Sequence, residues 1–289
     1  MNNWGRWGES DEIGTLNTLD AAVVARGLAA VKQNRSISLA APIENGRGYG
    51  SIGRPAPQHF MLRDGGDYAA GLPERGGFGF ADDWIGFPTH GVTHMDALSH
   101  VWQDGLMYNG HPASAVTSHG ARKLGIHQVP PIVTRGVLLD FVPSDEGWMP
   151  PGEGIGLDRL KSALSATGVA LAPGDALLIR TGWMEGWRAG RCDATAWPGL
   201  DADCGAWLAA QDLTLVGADN IGVEMFPSSD PLCQVPLHVE LVRGHGMHLA
   251  ELLDLTALAS ADQSSFLLVL APLRLVGGVG SPISPVAVL

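Results

Sequence analysis

The segment His90-Gly91-Val92-Thr93-His94-Met95-Asp96-Ala97-Leu98-Ser99-His100 concentrates three imidazoles and a carboxylate in eleven residues. Two imidazoles and a carboxylate form a ligand set that a borderline divalent ion such as Zn²⁺, Mn²⁺ or Fe²⁺ accepts. A third imidazole close by can move a proton. Activation of a water molecule is the chemistry such a set suits.

Geometry narrows the reading. The offsets from His90 are four, six and ten, so a flat strand would put every group on one face. A strand rises about 3.3 Å per residue, however, which would hold His90 and Asp96 roughly 20 Å apart. No single ion bridges that gap with bonds near 2 Å. A straight helix fails too, because Asp96 would point well around the cylinder from His90 and His94. The segment must bend, and Gly91 is the expected place for a sharp turn. It is not a helical H-E-x-x-H site, since no Glu follows His90. The bland alternative is chance clustering, as the chain has 10 histidines and a lone one is usually a packed or solvated side chain. Three beside an aspartate, in an apolar and Gly-rich context, favour metal.

Composition bounds the rest. A chain of 289 residues with 45% hydrophobic content suits a soluble globular α/β unit with a substantial core. With 18 basic against 30 acidic residues and no basic stripe, nucleic acid and anionic membranes are excluded as expected partners. Cys192, Cys204 and Cys233 are few, odd in number and widely spaced, which fits a reducing compartment. The N-terminus lacks an apolar signal core, and the run Phe266 to Val276 is interrupted by Pro272 and Arg274. The expected location is cytoplasmic.

Along the chain, residues 1–43 read as an irregular arm and one helix, Asp20 to Lys32. Residues 45–79, dense in Gly and Pro, read as long loops that admit a hairpin and lie over the site. Gly136–Asp140, Ala176–Arg180, Leu213–Gly217 and Phe266–Leu275 read as buried strands. Leu157–Thr167, a segment capped by Asp201 and running through Leu208, and His248–Leu258 read as helices. Strands alternating with helices imply an α/β layered architecture over a single domain, 1–289. Asn220, just after the third strand, is a candidate pocket contact or simply a turn residue. Asn109, in the Tyr108-Asn109-Gly110 turn, is a second candidate contact. Trp84 and Phe87, just upstream of His90, could wall a flat ring or merely pack in the core.

His238 and Glu251 stand out further on, each flanked by apolar residues expected to be buried. A buried Glu needs a positive partner, hydrogen bonds or a metal to stay charged. A structural ion pair with Arg243 is the competing reading, and His245 and His248 read as polar surface residues. Other chemistries are poorly represented. Ser99 has no G-x-S-x-G elbow, and Gly76-Gly77-Phe78-Gly79 lacks the context of a dinucleotide site.

His90-Gly-Val-Thr93-His94-Met-Asp96-Ala-Leu-Ser-His100 resembles the signature H-x-G-T-H-x-D-x-x-x-H of the cyclase family of metal-dependent hydrolases, which includes bacterial kynurenine formamidase and isatin hydrolase. Glycine stands at the second position, Gly91, instead of the third, where this chain has Val92; all four chemical positions are intact. Trp4-Gly-Arg-Trp-Gly8, Gly14-Thr-Leu-Asn17, Tyr108-Asn-Gly110, Gly136-Val-Leu-Leu-Asp140 and Gly280-Ser-Pro-Ile-Ser-Pro285 extend the likeness over nearly the whole chain. The resemblance implies a swivelling β/β/α fold and homo-oligomers, dimers or tetramers. It implies Mn²⁺ or Zn²⁺ held by His90, His94 and Asp96, and proton transfer by His100. His238 and Glu251 are similar to the distal pair of two-metal members, with a spacing about one residue longer than in the short ones.

The expected reaction is hydrolysis of a small amide, cyclic or aryl-linked, with His100 as general base and acid. A lactone hydrolase or cyclase on the same site is the close alternative. Two rivals come from other classes. His94, Asp96 and His238 could make a non-haem Fe(II) oxygenase centre, and a closed coordination sphere would make a non-catalytic metal-binding protein.

Overall fold

The computed structural model describes residues 2–49, 53–74, 76–143 and 147–289. Among them nine strands join in one mixed sheet. They are β1 (Ser36–Ser38), β2 (His94–Asp96), β3 (Ile132–Asp140), β4 (Ala176–Arg180), β5 (Leu215–Ala218), β6 (His248–Glu251), β7 (Ser265–Leu270), β8 (Gly280–Pro282) and β9 (Val286–Val288). Across the sheet they lie in the order β1-β9-β7-β3-β4-β5-β6-β2-β8. The centre, β3 through β6, is parallel, and both flanks are antiparallel. This is the α/β class that the alternation of elements implies.

The central strands are apolar without alternation because both faces are covered. In β4, Leu177 and Ile179 enter one buried cluster with Val137, Val216 and Leu249. Ala176 and Leu178, one residue out of step, enter a second cluster with Leu138, Leu215 and Leu268 on the other face. Alternate side chains therefore feed two cores from one strand. Helix α1 (Ala21–Ala29) is capped by Asp20, whose side chain accepts from the Val23 N–H at 2.8 Å. Its Gly27 meets the sheet so closely that a Cβ would stand 2.7 Å from the Thr134 carbonyl carbon. Helix α2 (Leu157–Ala166) buries Leu160 and packs Leu164 beside it in the first cluster.

Three local expectations need correction. His248–Leu258 is not a helix. Its first four residues are β6, parallel to β5 in the register Leu215↔His248, and only Thr256–Ala259 is helical. A short apolar run buried on both faces carries no period that separates helix from strand, and tertiary pairing decides. His248 is also fully buried instead of lying on the surface. In the segment 45–79, Gln58–Arg63 does form a hairpin strand, but its partner is Asp82–Gly86, immediately upstream of the histidine cluster.

The N-terminal arm crosses to the far end of the sequence. Trp4 Nε1 donates to the Arg243 carbonyl at 2.9 Å, and the Arg243 guanidinium lies 4.7 Å above the Trp4 ring. Gly14 (φ +59) and Gly246 (φ +66) touch, with a Cβ on Gly14 falling 2.1 Å from the Gly246 oxygen. Only glycine serves at both positions. Among the described residues, no helix is long and apolar enough to cross a membrane.

Candidate metal centre

The expected bend is present between the hairpin and β2. Gly91 N–H donates to the Pro88 carbonyl at 2.8 Å, turning the chain before His94 enters the sheet. Gly91 is not in the left-handed region; its advantage is space, since a Cβ would stand 3.2 Å from that carbonyl oxygen. A second turn, with His100 N–H on the Ala97 carbonyl at 2.9 Å, folds His100 back over His90. The two rings stack at 4.0 Å.

Strand pairing adds the distal residues. β6 runs antiparallel to β2 with Glu251 opposite His94, and β8 places Gly280 opposite Asp96. His238 opens a π-helix, His238–Gly244. Such helices take an extra residue per turn and are frequent at functional sites.

The donors converge. His90 Nδ1 lies 2.8 Å and His94 Nε2 3.5 Å from Asp96 Oδ1, while His238 Nε2 lies 3.6 Å from Asp96 Oδ2. Glu251 stands 3.2 Å from both His94 Nε2 and His238 Nε2. Two triads have all their ligand atoms within 4.8 Å of one another: His90, Asp96 and His100, and Asp96, His238 and Glu251. Asp96 belongs to both.

Most of these atoms are close without being hydrogen-bonded. His90 Nδ1 and Nε2, His94 Nε2, both Asp96 oxygens and Glu251 Oε1 are buried and have no hydrogen-bond partner of proper geometry. Buried polar atoms are rarely left so. A set of lone pairs aimed at common points suits a cation, and its N/O chemistry fits a divalent one. The far ring nitrogens are held elsewhere: His94 Nδ1 on the Val92 carbonyl at 2.8 Å, and His238 Nδ1 on Glu224 Oε1 at 2.5 Å. That arrangement turns each Nε2 toward the carboxylates.

Electrostatics agree. Burial pushes the His94 imidazole down, but the Asp96 and Glu251 carboxylates beside it outweigh that and lift it to about 9. His238 is opposed by burial in the same way, yet Glu224 and Glu251 hold it well above its usual value. Burial opposes ionisation of Asp96, but His100, His90 and His94 keep its carboxyl well below the ordinary range. His100 goes the other way, pushed down by burial to about 4.

These directions set a pH dependence. Metal-free protein holds protons on His94 and His238 that an entering cation must displace, so apparent affinity should rise as pH increases toward 9. Stability runs opposite. Because the folded His94 value exceeds the usual 6.5, its contribution is complete below 6.5 and lost as pH rises through about 9. Chelator-treated protein should therefore melt lower at pH 9 than at pH 6.5, and metal titrations at the two values should show the reverse order. Equal affinities at both would mean that these imidazoles do not compete with the ion.

The structure brings His90, His94, Asp96, His100, His238 and Glu251 together, and the other candidates are not among the groups that meet there. Trp84 is 43% exposed on the hairpin, stacked on Phe60 at 4.7 Å, and Phe87 is half-buried. Asn109 has its amide on the Gly8 and Asp11 carbonyls and its oxygen on the Gly5 N–H, so it fastens the N-terminal arm. Asn220 bonds Pro198, Gly222 and Val223 backbone and builds the turn after β5. Arg243 stacks on Trp4 instead of pairing with Glu251.

Three participants escape sequence reasoning. A cavity of about 470 Å³ opens onto His100, His238 and Glu251, and its apolar wall is Trp197 and Phe226, stacked at 4.6 Å. These aromatics come from segments far from the histidine cluster, so no local signal marks them. Glu224 is 2% exposed and carries the bond to His238. Its signal is a lone carboxylate in the apolar run Ile221–Phe226, the same argument that singles out Glu251.

Gly280 sets the fit of His90. A Cβ there would stand 2.5 Å from His90 Cε1 and 2.7 Å from Nε2. Gly280→Ala should cost about 1–3 kcal/mol by overpacking and displace the ring, weakening metal binding. Denaturant melts and a metal titration check both effects. Unchanged values would show that the ring has room to move.

A mixed α/β sheet carrying a buried His/Asp/Glu cluster beside an apolar cavity defines an enzyme-like scaffold with a site suited to a divalent metal. The chain belongs to the Cyclase family, whose model, described as "Putative cyclase", matches residues 37–225. A crystal structure of a novel cyclase is 35% identical over 100% of this chain and 99% of its own, with a TM-score of 0.90. The fold is shared with isatin hydrolase A from Labrenzia aggregata bound to benzyl benzoate, at 18% identity, 92% and 96% coverage and a TM-score of 0.67. An isatin hydrolase bound to the product analogue thioisatinate is similar at 19% identity, covering 94% of this chain and 99% of its own, with a TM-score of 0.65. No curated protein matches.

Proposed function

We propose that this chain is a metal-dependent hydrolase that opens a small amide, cyclic or aryl-linked, with a lactone as the close alternative. The observation that carries the reading is the cluster of buried ligand atoms without hydrogen-bond partners on His90, His94, Asp96 and Glu251, beside a cavity with a stacked aromatic wall. The isatin hydrolase structures, one bound to benzyl benzoate and one to the product analogue thioisatinate, support a flat substrate of that kind.

In this reading His90, His94 and Asp96 hold one Mn²⁺ or Zn²⁺, and Asp96, His238 and Glu251 have the donors for a second. When bound, the ion supplies a nucleophile from water near neutral pH and polarises the substrate carbonyl. The protein's own groups do the rest. Trp197 and Phe226 stack on the ring and keep bulk water from one side of it. His100, neutral at pH 7 because burial pushes it down to about 4, takes the water proton and returns it to the leaving nitrogen. Dimers or tetramers are the assembly expected of the family.

A metal analysis of native protein, paired with a hydrolysis panel of isatin, N-formylkynurenine, cyclic imides and aromatic lactones, tests the proposal. Stoichiometric Mn or Zn with turnover on one of these classes is the expected result. Bound iron with oxygen consumption and no hydrolysis would overturn it.

A further inference from the structure

We infer that Glu224 is the positioning residue of the distal half of the centre: its carboxylate fixes the ring of His238 so that Nε2 faces Asp96 and Glu251. This rests on the two-triad reading above.

The geometry is specific. Glu224 Oε1 lies 2.5 Å from His238 Nδ1 and accepts the His238 backbone N–H at 3.0 Å, while Oε2 accepts the Leu237 N–H at 2.8 Å. One carboxylate therefore holds the His238 ring and the backbone from which that ring springs. A ring nitrogen bound this way is the donor, so once an entering ion has displaced the second proton the lone pair is on Nε2. Nε2 lies 3.2 Å from Glu251 Oε1 and 3.6 Å from Asp96 Oδ2.

The backbone is shaped to present Glu224. Val223, fully buried and β-branched, is held at φ +61, where non-glycine residues are strained. Around it the chain makes a tight turn, with the Glu224 N–H on the Gly222 carbonyl at 2.5 Å. Asn220 Oδ1 clamps the turn from below through the Val223 N–H at 2.7 Å, and Trp197 Nε1 donates to the Glu224 carbonyl at 2.9 Å. The same indole walls the cavity, so the turn links ring placement to pocket shape. Strain of this kind persists only where the surroundings over-determine it, and here they converge on one carboxylate.

The test uses the full chain, stripped with chelator and titrated with Mn²⁺ alone, in wild type, Glu224→Gln and Glu224→Ala. Wild type should bind two classes of ion. Both variants should weaken one class by about 10–100-fold and leave the other at its wild-type affinity, as loss of a carboxylate behind a ligating histidine typically does. A second readout needs no metal. In ¹⁵N-histidine spectra of the stripped protein, the strongly downfield Nδ1 proton of His238 should be present in wild type, shifted upfield in Glu224→Gln and absent in Glu224→Ala.

An unchanged distal affinity in a folded variant would overturn the inference. So would an equal loss in both classes alongside a lowered melting temperature, which marks a purely structural role. A wild type that binds one class only would count against the two-triad reading instead. The proton signal then still decides the role of Glu224.

Discussion

Asp96→Asn is expected to abolish stoichiometric metal and turnover together. Its two oxygens face different partners: Oδ1 is 2.8 Å from His90 and 3.5 Å from His94, and Oδ2 is 3.6 Å from His238. Asp96 is thus the one group common to both triads, and a neutral amide removes the charge from each. The variant should still fold. The backbone at Asp96 is held by pairing with Gly280, and the Asp96 carbonyl accepts from His248 Nδ1 at 2.8 Å. Native mass spectrometry with a thermal melt separates the effects. Wild-type metal content in a folded, inactive variant would remove Asp96 from the ligand set.

His100→Ala carries the second large effect, with metal retained and kcat reduced by about 10²–10⁴, the usual worth of a positioned proton-transfer group. The structure sharpens the experiment, because His100 also has a ring nitrogen within ligand distance of His90 and Asp96. Two observations favour the proton-transfer role. His100 lines the cavity while His90 behind it is buried, and burial pushes its imidazole down to about 4, so it is neutral at pH 7. Added imidazole should restore part of the lost rate. Loss of an equivalent of metal would instead make His100 a ligand, and undiminished kcat would take it out of the chemistry.

The proximal part of the centre is legible in sequence because its donors are neighbours in the chain. Neither strand nor helix geometry can gather them, so the bend around Gly91 follows from elementary dimensions. His238 and Glu251 are legible for a different reason, as ionisable residues stranded among apolar ones. The sheet's central strands are readable as apolar runs, but β6 is mistaken for a helix because four buried residues carry no usable period. Trp197 and Phe226 give no advance sign, since what makes them a wall is a loop folding across the cavity. Asn109 and Asn220 show the converse. Both are polar residues at turns, and both spend their amides on backbone.

The contact between the N-terminal arm and the π-helix bears on when this centre can exist. Trp4 reaches 239 positions along the chain to Arg243, and Ser36 pairs with Val288. Synthesis delivers the arm long before its docking partners, so a nascent chain on the ribosome has nothing for Trp4 and Gly14 to rest against until Arg243 and Gly246 have emerged. Contacts this distant slow folding, because the loops they close are long. Competence to capture an ion should therefore switch on late, as a property of a chain that holds both the arm and the π-helix and not of either alone.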